Sequence, residues 1–269
     1  MNFLRTVASL CASFRAYRAI RDVPVSSAIK YLLLLMLLVS LGLLASFVPW
    51  AFGRGEDFAA WVDGHFPPFA IRNGEVVTAV AQPHYGGDEN FRLILDTTGT
   101  VTNADPVAPY GMLFTKDHFL MWVRTTNAPA AAVQMKRQPL RGFPDGDVNG
   151  AYIRGLIRSF LWVALPFLYG LLVLVGTLTC LLQAYLFSVV ASFTERSMPG
   201  PLTMNQLLSV AIHAVTPAAI IFAVYTSFRL RGVNVWLIYL IAYGIFLIGG
   251  TNACRDLPEK RDEDDELLI

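Results

Sequence analysis

Cysteine is scarce in this chain and poorly placed for crosslinking. Cys11, Cys180 and Cys254 are the only three among 269 residues, and none falls between residues 53 and 158. That rules out a disulfide framework for the central stretch, and no CxxC or Cys/His spacing points to zinc or an iron–sulfur cluster. All three read as small apolar fillers. Charge is equally sparse: 15% of residues are charged, and 21 basic side chains face 20 acidic ones for a net +1. There is no chain-wide positive field to attract nucleic acid, so that class of partner is set aside. The sequence also lacks a P-loop, a Gly-x-Ser-x-Gly elbow, a His-Glu-x-x-His pair and a dinucleotide fingerprint after a strand, which removes the common hydrolases. No catalytic, cofactor-binding or metal-ligating residue is assigned, and no cofactor is expected.

What the chain has in surplus is apolar character. Hydrophobic residues make up 55% of it and mean hydropathy is +0.50, more than a soluble domain of this length needs. The surplus gathers into runs long enough to cross the roughly 30 Å hydrocarbon layer as helices. The expected fold is therefore a polytopic membrane protein: four transmembrane α-helices plus a small extracytoplasmic β-rich (α+β) domain inserted between spans one and two.

Residues 1–29 read as a cytoplasmic amphipathic interfacial helix. Phe3, Val7, Leu10, Phe14 and Tyr17 recur at three- and four-residue steps, and Arg5, Arg15, Arg18 and Arg21 lie mostly on other faces. Such a helix rests on the leaflet with its apolar side among acyl chains, and Pro24 ends it. Span one covers residues 30–52, span two 159–193, span three 207–228 and span four 233–251. A cytoplasmic loop at 194–206, a short connection at 229–232 and an acidic cytoplasmic tail at 252–269 complete the layout. Small residues Gly170, Gly176 and Ala184 in span two and Gly244, Gly249 and Gly250 in span four suit close helix packing.

Between spans one and two, residues 53–158 change character, as prolines and charges return and short β-favouring runs alternate with turn signals. Strands are expected at 69–72, 75–80, 91–96, 100–102, 111–114, 118–124 and 131–136, with turns at Asn73-Gly74, Gly86-Gly87 and Thr98-Gly99. Asn73-Gly74 is the best hairpin signal. Asp147 is placed to cap the helix that leads into span two.

Orientation follows from positive charge. The amino-terminal flank carries Arg5, Arg15, Arg18, Arg21 and Lys30 against a single acid, Asp22, which puts both termini in the cytoplasm and the β-rich domain outside. Arg229 and Arg231 then fall at the outer surface, against the rule, but the first flank usually dominates.

The stretch Phe66-Pro67-Pro68-Phe69-Ala70-Ile71-Arg72-Asn73-Gly74-Glu75-Val76 is followed by Leu93-Ile94-Leu95-Asp96-Thr97-Thr98-Gly99 and by Leu113-Phe114-Thr115-Lys116-Asp117. In this order, between two spans, the motifs resemble the bacterial domain-of-unknown-function family numbered 1189. The resemblance covers nearly the whole chain. It implies an amino-terminal span, an extracytoplasmic segment and a carboxyl-terminal membrane bundle in a bacterial inner membrane, and some similar members are associated with maltodextrin utilisation. It carries over no catalytic motif.

Two groups of residues hold what chemistry there is. In the domain, His65, His84 and His118 are scattered among Asp63, Asp88, Glu89, Asp96 and Asp117 and read as solvated loop side chains. In span three, Gln206, Ser209, His213 and Thr216 share one helical face, with Gln183 or Thr179 of span two as expected bonding partners. Intramembrane polar residues are costly, so Gln183, Gln206, Ser209, His213 and Thr216 form the candidate intramembrane site, read as interhelical bonding or as a proton or substrate path. The functional expectation is a non-enzymatic membrane protein whose external domain binds, senses or scaffolds. Its partners would be the lipid bilayer, another membrane protein or a second copy, and an extracytoplasmic ligand. The alternatives are a transporter or transporter subunit using the span-three stripe, and an envelope lipid or glycan enzyme.

Overall fold

The computed structural model describes residues 3–102, 108–124, 133–195, 200–230, 232 and 234–255. Arg231, the centre of the 194–206 loop and the tail from residue 256 onward lie outside the described residues. The chain forms two compact units, one built from residues 1–49 and 164–269 and the other from residues 50–163.

The first unit is helical. It contains α1 (Phe3–Ala12), a 3-10 segment (Phe14–Ala19), the start of α2 (Val25–His65), most of α3 (Gly150–Glu195), α4 (Met204–Ser227) and α5 (Val235–Cys254). Of these, α2, α3, α4 and α5 are long and apolar enough to cross a membrane. They are not equally covered. Two-thirds of the most apolar window of α4 is buried, against 17% for α3, so α4 is the central helix of the unit and α3 shows most of its apolar surface. Thr203 starts α4 with a reciprocal capping box, its hydroxyl accepting from the Gln206 N–H while the Gln206 side chain accepts from the Thr203 N–H. Asn234 caps α5.

The amino-terminal segment differs from the expected surface helix. It breaks at Ser13, whose side chain caps the 3-10 segment. Its apolar side is taken up by protein, because Leu10, Tyr17 and Ile20 are fully buried in the bundle core and Phe3 and Val7 pack against it. Gly249 and Gly250 have a role that small-residue packing between spans did not suggest. A Cβ at these positions would meet the rings of Phe14 and Tyr17 at 2.5 and 2.7 Å, so the two glycines seat those rings on α5. Gly170 and Gly244 face open space. Arg18 and Arg21 then donate to the carbonyls of Ala253 (2.7 Å) and Cys254 (2.9 Å), satisfying orphan acceptors at the end of α5 with the charge that a helix carboxyl terminus favours.

Among the described residues the second unit carries eight strands: β1 (Ala70–Arg72), β2 (Glu75–Val77), β3 (His84–Gly87), β4 (Phe91–Leu95), β5 (Tyr110–Phe114), β6 (His118–Arg124), β7 (Val133–Pro139) and β8 (Gly146–Asp147). They form a three-stranded sheet, β2-β1-β8, and a five-stranded sheet, β3-β4-β5-β6-β7. Only the β4–β5 pair of the larger sheet is parallel. Asn73 (φ 53°) and Gly74 (φ 76°) make the expected two-residue hairpin, with Arg72 opposite Glu75. One face of the large sheet packs Leu93, Leu95, Phe114 and Phe119 against Ile71 and Val76 of the small one and against Phe69, which precedes it. The opposite face buries Ile94, Leu113 and Trp122.

Three local expectations are corrected. Gly86-Gly87 lies within β3, and the turn follows at Asp88-Glu89-Asn90, where the Asp88 carboxylate accepts from the N–H groups of Asn90 (2.8 Å) and Phe91 (2.9 Å). Residues 100–102 form no strand, because the Val101 N–H is taken by the Asp96 carboxylate. Asp147 does not cap α3. It lies in β8, paired to Arg72 at 2.8 Å, and the capping falls to Asn149, which accepts from the Tyr152 N–H, and to Asp63 of α2, which accepts from the Gly150 N–H. Within this unit α2 continues to His65 and α3 already begins at Gly150, so helix flanks the strands on both sides in sequence. Gly55 lets the two helices approach, since a Cβ there would sit 3.0 Å from Ile157.

Candidate functional site in the helical bundle

The polar face of α4 is a stripe at three- and four-residue steps on the most buried helix. Ser209 and Thr216 are fully buried and His213 is 3% exposed. Each residue has a defined neighbour. At the start of the helix the Gln206 amide donates to Asp22 at 2.7 Å. That bond is the main reason the Asp22 carboxyl lies below its ordinary range; slight desolvation opposes it and Arg21 adds to it. One turn on, the Ser209 hydroxyl donates to the Ile20 carbonyl at 2.9 Å. His213 Nδ1 lies 2.8 Å from the Ser209 carbonyl; a carbonyl only accepts, so Nδ1 carries the proton. The imidazole stacks on Tyr31, with centroids 4.5 Å apart and planes 26° from parallel. The Tyr31 hydroxyl is 2.8 Å from that of Thr216.

The structure thus brings Gln206, Ser209, His213 and Thr216 into one row and leaves Gln183 out of it. Gln183 on α3 accepts instead from the Tyr239 hydroxyl of α5 at 2.9 Å, and Thr179 is exposed. The expected bonding from α4 to span two is replaced by bonding to the segment that runs from Ile20 to Tyr31. Sequence reasoning missed Tyr31 and Asp22 as members of the site. Both carried a signal: a phenol opening an otherwise aliphatic run, and the only acid in a basic flank. Elsewhere in the bundle the Tyr17 and Tyr243 hydroxyls and the Gln183 amide nitrogen are buried with no hydrogen-bond partner among the described residues.

The row can hold an amino-terminal segment in register on α4. Its chemistry separates two roles for His213. If the imidazole bonds and stacks only, His213→Gln keeps a donor and an acceptor, and we expect folded yield in detergent and cellular function to survive at a cost of about 1 kcal/mol. If it moves protons, glutamine should fold and abolish function, since an amide does not titrate near neutral pH. Solubilised yield, set against the growth phenotype of a strain carrying the variant, distinguishes the two, and a folded but inactive protein would promote transport.

In the strand-bearing unit the histidines and acids do not gather into one site, although His118 pairs with Asp117 and His65 lies near Asp88. His118 Nδ1 is 2.5 Å from its neighbour Asp117 and 2.9 Å from the Thr115 hydroxyl. That histidine contact is the main cause holding the Asp117 carboxyl below its ordinary range. His65 bonds the Trp61 carbonyl and stacks on the Trp61 ring, and His84 is a strand residue opposite Leu95. Asp63, Asp88 and Asp96 are spent on backbone N–H groups. No group of three or more His, Cys, Asp or Glu side chains among the described residues is arranged to hold a metal ion.

Neither a curated protein nor a solved structure matches the chain. A family model described as a protein of unknown function, DUF1189, matches residues 5–250. The match takes in every helix and strand on which the polar row and the two sheets are built, and on it the chain belongs to the DUF1189 family.

Proposed function

We propose that this chain is a non-enzymatic protein of a bacterial inner membrane, with both termini cytoplasmic and the strand-bearing unit outside. In this reading it serves as an accessory or regulatory partner of another membrane protein, and its external unit is the sensing or scaffolding part. The observation that supports the reading is the continuity of α2 and α3. Each helix belongs to the bundle over one part of its length and to the strand-bearing unit over the other, and each has a single interior proline close to the changeover, Pro49 and Pro166. An interior proline removes one backbone hydrogen bond from a helix. In this reading, occupancy of the external unit is passed to the bundle without any chemistry. The polar row of α4 fits the same reading, because Gln206, Ser209, His213 Nδ1 and Thr216 are bonded within the chain itself.

The four lysines, Lys30, Lys116, Lys136 and Lys260, allow one experiment to test both orientation and partnership. Lys116 and Lys136 lie in the strand-bearing unit and are exposed. A membrane-impermeant amine crosslinker applied to spheroplasts should give a discrete adduct with a second membrane polypeptide. Lys116→Arg with Lys136→Arg should abolish the adduct, and Lys30→Arg should leave it. Labelling only after permeabilisation would reverse the orientation. Labelling without any adduct would remove the accessory role.

A further inference from the structure

The strand-bearing unit holds a cleft of about 490 Å³ lined by residues 52–56 of α2 and by the first turns of α3. Its walls are of two kinds. At one end are Glu56, Arg154 and Arg158, and at the other Phe52 and Trp162. Arg154, Arg158 and Trp162 follow one another at four-residue steps on α3 and so share a face. The change from charged to apolar wall coincides with the limits of the apolar runs, which end at Phe52 on α2 and begin at Phe160 on α3. Gly155 also lines the cleft, and a Cβ there would meet nothing within 4 Å.

Charge decides what fits the polar end. Arg154 is 3.5 Å from Glu56, a solvent-exposed pair of little energetic value. Arg158 has no hydrogen-bond or ion-pair partner among the described residues. Two guanidinium groups against one carboxylate leave a net positive end whose planar donors match phosphate oxygens. The apolar end is superfluous for a soluble anion. Trp162 is 68% exposed, and an amphipathic ring at this level is what a headgroup boundary favours.

We infer that this cleft binds the phosphate-bearing headgroup of an anionic phospholipid, with Arg154 and Arg158 on the phosphate and the first acyl carbons against Phe52 and Trp162. The inference rests on the membrane embedding of the bundle and is independent of the sensing role. Embedding is checked separately by whether the chain stays in carbonate-washed membranes; release without detergent would overturn both.

The test is native mass spectrometry of the purified full chain in mild detergent, with phosphatidylglycerol, phosphatidylcholine or inorganic phosphate added. The expected result is retained phosphatidylglycerol, with occupancy falling about tenfold in Arg158→Glu, as for loss of a charge-assisted pair. Gly155→Leu should give a similar fall by filling the cleft while keeping both arginines, and it raises helix propensity, so folding is safeguarded. Unchanged occupancy in both variants would overturn the site. Equal retention of phosphatidylcholine would overturn its preference for anionic lipid. Displacement of the lipid by inorganic phosphate at matched concentration would reassign the cleft to a soluble phosphate.

Discussion

Gly111→Ala should destabilise the strand-bearing unit by about 3 kcal/mol, at the upper end of what overpacking a core costs. Gly111 sits in the middle of the large sheet, opposite Trp122 across the β5–β6 pair and Arg92 across the β4–β5 pair. The Trp122 indole lies directly over its Cα. A Cβ at 111 would fall 2.0 Å from one ring carbon of Trp122 and 2.4 and 2.5 Å from two others. The ring has nowhere to retreat. It is 2% exposed, it is packed with Ile94 and Leu113, and its indole N–H donates to the Ala108 carbonyl at 3.3 Å. For a unit of this size the penalty corresponds to a melting transition lower by about 10 °C or more, read by near-ultraviolet circular dichroism of the full chain in detergent. A second variant isolates the cause. In a Trp122→Leu background the ring is gone, so adding Gly111→Ala should cost less than about 1 kcal/mol further, a non-additivity expected of side chains in contact. Equal penalties in both backgrounds would mean that the glycine is needed for its backbone and not for the indole.

The features that could be read in the sequence were those governed by short-range patterns. Four apolar runs became four long helices because run length alone decides whether a helix can span a bilayer. The Asn73-Gly74 hairpin formed because both residues accept positive φ, and β6 appeared over the expected residues, His118 to Arg124. What was missed depended on partners distant in sequence. Gly86-Gly87 looks like a turn but serves as a strand, because the neighbouring Asp88 carboxylate supplies the turn instead. Asp147 and Asn149 are equally good caps on paper, and Arg72, 75 residues away, draws Asp147 aside. The polar row of α4 was visible as a period of three and four, but its partners were not. Nothing local signals that the Ile20 carbonyl would accept from Ser209 as well as from the Val23 N–H, or that Tyr31 would stack on His213. The Gly249-Gly250 pair suggested helix packing because glycine shows only that something approaches, and what approaches is the Phe14 and Tyr17 rings of the first turns of the chain.

Asp96→Ala should be nearly as damaging as the glycine change, by about 2–3 kcal/mol, through a different mechanism. Asp96 follows β4 and is fully buried. One carboxylate oxygen accepts from the Thr98 N–H at 2.9 Å and from the Thr98 hydroxyl, and the other accepts from the Val101 N–H at 2.6 Å. These bonds hold the start of the crossover that lets β4 and β5 pair in parallel. Alanine leaves buried donors without an acceptor, and asparagine does not rescue them. Its amide can keep one oxygen on Thr98 but turns an N–H₂ group toward the Val101 N–H, donor against donor. The same geometry gives the change a pH signature. Burial alone pushes the Asp96 carboxyl up, but the Thr98 hydroxyl and the Val101, Thr98 and Gly99 N–H groups more than offset it, so the folded-state value lies below the ordinary one. A depressed carboxyl contributes its stability above the unfolded value of about 3.9 and loses it as the pH falls through the folded value. Melting of the wild-type unit should therefore show no effect of this carboxyl's titration at pH 6 to 7 and decline below about pH 4. In Asp96→Asn the transition should start lower at neutral pH and lose part of that acid decline, so the two curves converge on acidification. Parallel curves from neutral to acid pH would show that the buried carboxylate is not ionised in the folded protein.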